Sequence, residues 1–216
     1  MMVFIHRARE PFNSMTHFIG AVLFGLGTCL LVAKALLGPV TTSQLLALIT
    51  FGLSMTALYS ASSLYHYAQV SPEQLRMLRK LDHSMIYVLI AGSYTPLALT
   101  WLPASTGLWF TVFIWSCAFA GILTKLYFHT VPRWLSTLGY LLMGWSILLI
   151  PSVFQAMPPL AIALAAAGGI SYTIGGIVYW LKKPDLSRYI GFHEFFHLFV
   201  LLGSLMHYLM VFLFVA

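Results

Sequence analysis

Seven apolar runs, each about 20 residues long and parted by short polar breaks, dominate this chain. A run of that length rises roughly 30 Å as a helix, the thickness of a bilayer's hydrocarbon core. Boundaries drawn at the polar breaks place helices at 14–37, 44–67, 81–102, 107–127, 134–152, 159–181 and 193–215. Seven such spans take up about 140 positions. The rest of the 216 residues suffices for short loops and leaves no room for an extramembrane domain. Only 7% of the residues are charged and 60% are hydrophobic, whereas about a quarter of a soluble domain is charged. The expectation is an all-α integral membrane protein, a single seven-transmembrane-helix bundle over residues 1–216.

The net charge of +6 raises nucleic acid as a partner, but basic residues scattered along an apolar chain make no continuous patch. Membrane lipids are the expected partners. The positions of the basic residues are more informative than their number. Arg7 and Arg9 precede helix one, Arg76, Arg79 and Lys80 separate helices two and three, Lys125 and Arg133 flank the gap after helix four, and Lys182, Lys183 and Arg188 follow helix six. Ten of the eleven basic residues therefore lie on one side, with Lys34 the exception. The positive-inside rule makes the N-terminus cytoplasmic and the C-terminus outside. Ala33-Lys34-Ala35 resembles a signal-peptide cleavage site, yet the apolar stretch from Met15 to Ala33 exceeds a usual signal core, so the run is read as a retained helix. Cys29 and Cys117 both lie inside apolar runs, which argues against a disulfide framework or a cysteine metal site.

A hydrocarbon environment penalises every ionisable side chain, so those that remain within the spans carry the functional information. His66 ends the second run, Asp82 and His83 begin the third, and His193, Glu194 and His197 begin the seventh. All fall at one membrane margin, the cytoplasmic one. His193 and His197 are four residues apart, about 40° around a helix axis and 6 Å along it, so both imidazoles can reach one ion. Ser62 lies one turn before His66, on a face continued by Gly52, Thr56, Tyr59 and Ser63 that is expected to look into the bundle. A short hairpin between helices two and three should bring His66 near Asp82. Three imidazoles beside a carboxylate fit a tetrahedral Zn2+ site that keeps its fourth position open. The metal ligands are therefore His66, His193 and His197. His17 and His129 share the same level and read as interfacial residues, and His207 reads as a packing residue.

Residues 193–197, His-Glu-Phe-Phe-His, also satisfy the H-E-x-x-H pattern of zinc metalloproteases. The metzincin continuation fails, because Gly203 and His207 fall at the wrong spacings. His207 stands roughly 15 Å further along the helix than His197. A protease would have to take its third ligand from His66 or Asp82, and the role of Glu194 stays open.

Ser62-Ser63-Leu64-Tyr65-His66, Leu81-Asp82-His83 leading into Ala91-Gly92-Ser93-Tyr94-Thr95-Pro96, and His193 to His197 with His207 beyond it resemble the hemolysin III branch of the progestin and adipoQ receptor family. Asn13-Ser14-Met15-Thr16-His17-Phe18-Ile19-Gly20 resembles that branch's opening, so the likeness runs over nearly the whole chain in order. The resemblance implies a seven-helix fold, zinc on His66, His193 and His197, and Asp82 binding or orienting the metal's water. Ser62 would belong to an S-x-x-x-H motif shared with proposed membrane hydrolases such as alkaline ceramidases. Adiponectin receptors carry glutamine at the position of Glu194, so no glutamate base carries over from them.

The expected function is hydrolysis of a lipid amide or ester at the inner leaflet, with Asp82 taking a proton and Ser62 donating to the developing oxyanion. The alternative is a non-enzymatic sensor or homeostasis protein in which a structural zinc ties helices two and seven together. A cytolysin and an intramembrane metalloprotease rank lower, since no span presents the continuous polar face of a wide channel. The family branch and short termini favour a bacterial inner membrane. The sequence names neither the lipid nor the oligomeric state.

Overall fold

In a computed structural model, the structure describes residues 7–128, 131–186 and 190–216. His129 and Arg188 lie outside them. The described chain forms eight α-helices and one 3-10 turn, with no strand among the described residues. We number the helices α1 (Pro11–Leu36), α2 (Thr42–Tyr67), α3 (Pro72–Trp101), α4 (Ala104–Tyr127), α5 (Arg133–Gly144), α6 (Val153–Ala156), α7 (Pro159–Leu181) and α8 (Phe192–Phe214). Six of them, α1 to α4, α7 and α8, are 23 to 30 residues long and apolar enough to cross a membrane. Large side chains such as Leu23, Leu26, Leu30, Phe119 and Leu160 point outward exposed. That pattern is costly in water and favourable against lipid tails.

Two boundaries depart from the apolar runs. The third helix starts at Pro72 rather than near 81. Ser71 and Gln74 cap it reciprocally, Pro72 occupies its first turn and Glu73 supplies the acidic residue that a helix start favours. These cap signals begin the helix nine residues ahead of its apolar part, so Asp82 sits in the third turn rather than at the start.

The expected helix 134–152 is also not continuous: α5 ends at Gly144 and the chain tightens into a 3-10 turn over Ser146–Leu149. Tyr94 of α3 explains the break. Its hydroxyl donates to the Gly144 carbonyl and accepts from the Ile147 amide at 3.4 Å, so a side chain takes the place of the helical ladder. Pro151, Pro158 and Pro159 then bracket the short α6.

Consecutive helices pack as neighbours, α1 on α2, α2 on α3, α3 on α4 and α7 on α8, and α8 closes the bundle against α1 and α3. The α7–α8 seam depends on two glycines. A Cβ at Gly203 would stand 2.6 Å from the Tyr172 ring, and one at Gly168 would overlap the His207 ring. His207 fills that space, with its Nδ1–H donating to the Gly203 carbonyl at 2.9 Å. Lys34, near the end of α1, donates to the Phe212 carbonyl near the end of α8, where a cation offsets unpaired helix carbonyls.

Candidate metal centre

The last turn of α2 and the first two turns of α8 meet beneath the segment that leads into α1. His66 comes from α2, and His193 and His197 come from α8. Their three rings form a near-equilateral set, with centroids 4.9 Å (His66–His193), 4.8 Å (His66–His197) and 4.8 Å (His193–His197) apart. The rings stand nearly perpendicular to one another, at 83°, 75° and 85°. Among the described residues, this is the group of His, Cys, Asp or Glu side chains whose ligand atoms converge, all within 4.8 Å of one another. Zinc–nitrogen bonds of about 2.0–2.1 Å hold tetrahedral ligands roughly 3.4 Å apart. Imidazole rotations on the order of an ångström would therefore close the coordination sphere.

Hydrogen bonding points the same way. His66 and His197 are fully buried, yet His66 Nε2 and His197 Nδ1 have no protein partner. Buried polar atoms are normally satisfied, and an orphan calls for an ion or another ligand. The other nitrogen of His66 is firmly held: its Nδ1–H donates to the Glu10 carboxylate, and the Glu10 amide donates to the His66 carbonyl at 2.9 Å. Fixing one ring nitrogen in this way aims the other, as second carboxylates do for metal-ligating histidines. Arg9 pairs with the second Glu10 oxygen at 2.9 Å. Burial pushes the Glu10 carboxyl up, but the hydrogen bond and charge of His66, with Arg9 behind them, hold it below its ordinary value.

Ser62 and Asp82 are both buried and line the same cavity as His193 and His197. The Ser62 hydroxyl lies within polar reach of the Asp82 carboxyl. Asp82 is not one of the three converging ligands. It lies within electrostatic reach of His66. The stripe expected on α2 is largely inward, with Gly52, Tyr59, Ser62 and Ser63 buried.

Two residues beyond the predicted set belong to the surroundings of the centre. Glu10 could have been suspected only because it is one of just five carboxylates in the chain. His17 stacks on His197 with centroids 3.6 Å apart and planes at 8°, and it is buried rather than interfacial. Its level was readable from the sequence, but its contact was not.

Glu194 has a different task. One oxygen accepts from Asn13 Nδ2 at 2.7 Å and the other from the Gly191 amide at 2.8 Å. The glutamate of the His-Glu-Phe-Phe-His string thus caps α8 and ties it to α1. It is not held as a base against the histidines.

A family model described as haemolysin-III related matches residues 5–208. The chain belongs to the haemolysin-III related family. Among its members and relatives, "Hemolysin-3" of Bacillus cereus is 36% identical over 209 residues, covering 95% of this chain and 91% of that protein. "Hemolysin-3 homolog" of Bacillus subtilis is 35% identical over 198 residues, covering 90% and 89%. The human "Monocyte to macrophage differentiation factor" is 28% identical over 169 residues, covering 73% of this chain and 66% of its own length. Haemolysin-III membership together with six long apolar helices makes this a multi-pass integral membrane protein. The family expected from the Ser62–His66, Asp82 and His193–His197 motifs is the one the chain belongs to.

Proposed function

We propose that the protein is a zinc-dependent hydrolase of a lipid amide or ester. On this reading it works as one seven-helix domain in a bacterial inner membrane, with α5 and the 3-10 turn together making the remaining crossing. The N-terminus is cytoplasmic and the C-terminus outside, which puts the centre at the inner leaflet. The observation that carries the reading is the convergence of three histidines, two with buried unpartnered nitrogens, of which His193 and His197 line a cavity that also presents Ser62 and Asp82.

His66, His193 and His197 would hold the ion, and Glu10 would keep His66 in its ligating orientation. When bound there, zinc would supply electrophilic polarisation of a carbonyl and would acidify a water. Asp82 accepts the proton from the attacking water and passes it to the leaving oxygen or nitrogen. Ser62 donates to the oxyanion. The water oxygen becomes bonded to the acyl carbon, the ester or amide bond breaks, and a fatty acid leaves with an alcohol or amine.

A second reading, a zinc that only ties α2 to α8, has the double clasp of His66 by Glu10 in its favour. The cavity of about 670 Å³ reaching His193, His197, Ser62 and Asp82 favours the hydrolase, because a purely structural site has no use for lipid-sized space. The test is lipid profiling of membranes incubated with wild-type and Asp82→Asn protein, with and without chelator. The expected result is a fatty acid released by the wild type alone and abolished by chelation, with metal content equal in both proteins. Metal-loaded wild type that releases nothing would leave the structural reading standing.

A further inference from the structure

The cavity has two chemically different ends. Arg76, Arg79, Lys80, Lys125 and Arg133 line one of them, and beyond Asp82 and the histidines the wall turns to apolar residues such as Leu89, Leu97, Ile147, Phe154 and Ile162. Along α3 the lining runs from Arg76 to Leu97, about 32 Å at 1.5 Å per residue.

The charges at the basic end are unbalanced. The chain has five acidic side chains, and only Asp82 belongs to the cavity wall. Glu10 is taken by Arg9 and His66, Glu73 by Arg76, and Glu194 by Asn13 and the Gly191 amide, and Asp185 lies against Gly191, outside the wall. Arg79, Lys80, Lys125 and Arg133 form no ion pair among the described residues. Three of them are held by neutral partners: Lys80 donates to the Leu126 carbonyl at 2.7 Å, Lys125 to the Ser136 hydroxyl at 2.5 Å, and Arg133 to the Tyr179 carbonyl at 3.4 Å. Arg79 and Arg133 lie within electrostatic reach of His193, and Arg79 also of Asp82, the one carboxylate set against the four cations. Cations gathered at a mouth with low-dielectric walls focus a positive potential into it. A neutral amphiphile would leave that potential uncompensated.

We propose that the cavity takes an acyl lipid with an anionic, phosphate-bearing head. The head sits among Arg79, Lys125 and Arg133, where guanidinium groups can pair with phosphate oxygens, and the acyl chain follows the apolar wall past the histidines. In a glycerol phospholipid only a few bonds separate the phosphate from the acyl carbonyl. Arg79 precedes Asp82 by three residues, about 4.5 Å of helical rise, so head and carbonyl would meet the cations and the metal centre together. The proposal names the lipid class of the hydrolase reading and rests on it for turnover, whereas binding needs no reaction.

The experiment measures binding to delipidated full-length Asp82→Asn protein in neutral detergent, by native mass spectrometry, so that turnover plays no part. Phosphatidylglycerol, phosphatidylcholine and ceramide are titrated separately, with inorganic phosphate as a competitor. One phosphatidylglycerol per chain is expected, bound at least tenfold more tightly than the other two lipids. Arg79→Gln/Lys125→Gln should erase that preference, and Arg79→Lys/Lys125→Arg should keep it. Lys182→Gln/Lys183→Gln, outside the cavity wall, should leave it intact. Equal binding of all three lipids overturns the proposal. So does equal loss of preference in the Lys182/Lys183 variant, or full displacement by inorganic phosphate at the lipid's own concentration. Thermal unfolding checks the fold of each variant, and should the Arg79/Lys125 pair fail to fold, the wild-type-rim lipid series alone decides.

Discussion

Glu10 and His66 are joined twice, through the Glu10 amide to the His66 carbonyl at 2.9 Å and through the Glu10 carboxylate to the imidazole Nδ1–H. A backbone clasp and a side-chain clasp on one residue leave its ring a single orientation. Glu10→Gln keeps the amide bond but weakens the charge-assisted one. Metal affinity should fall roughly 10–100-fold, as for other partners of ligating histidines, with little change in melting temperature. A competitive chelator titration checks this, and an unchanged affinity would reduce Glu10 to a tether.

Elemental analysis separates the ligands from the other buried histidines. Wild-type protein should carry about one zinc per chain, in keeping with a single three-nitrogen site. A His66→Ala/His193→Ala variant should carry none. His207→Ala should keep its metal, because His207 is engaged with Gly203 and Tyr172 rather than with the trio.

Glu194 caps α8, so Glu194→Ala should act on stability. Losing the bonds to the Gly191 amide and to Asn13 should cost on the order of 1 kcal/mol, the usual cost of a lost cap, with metal content and any turnover preserved. Loss of turnover with fold and metal intact would revive a glutamate base and the metalloprotease reading.

At the α7–α8 seam, Gly203→Val drives a branched side chain into the Tyr172 ring. A closely packed interface resists added volume, and a loss of about 1–3 kcal/mol is expected, read as a lower unfolding midpoint in detergent. A similar substitution at Gly144, where a Cβ meets nothing within 4 Å, should be far milder.

Reporter fusions test the orientation drawn from the ten clustered basic residues. A reporter active only in the cytoplasm should work at the N-terminus and fail at the C-terminus. The same side for both ends would remove the odd number of crossings.

Much of this was legible because lipid makes polarity expensive. Apolar runs located the six long helices to within a few residues at most ends, and the few ionisable side chains inside them marked His66, Asp82, His193 and His197. The run-based reading missed the start of α3 because capping at Ser71 and Gln74 sets where a helix begins, whereas hydropathy sets only where it becomes apolar. It missed the break after Gly144 because the cause, the Tyr94 hydroxyl, lies 50 residues away in sequence. Glu10 was passed over for a related reason: it lies ahead of the first apolar run and reaches His66 across 56 residues. The role of Glu194 stayed open because a motif gives a spacing and not the direction in which a carboxylate points.

The three nitrogen donors come from distant parts of the polypeptide, with 130 positions between His66 and His197. While the chain emerges from the ribosome, α2 enters the bilayer long before α8 exists. During that interval His66 can offer only a lone nitrogen, too weak a grip for the ion. On the zinc-site reading, metal capture follows insertion of α8, and a nascent chain stalled ahead of that helix would be empty. A filled site would thus certify that the protein has been made through α8.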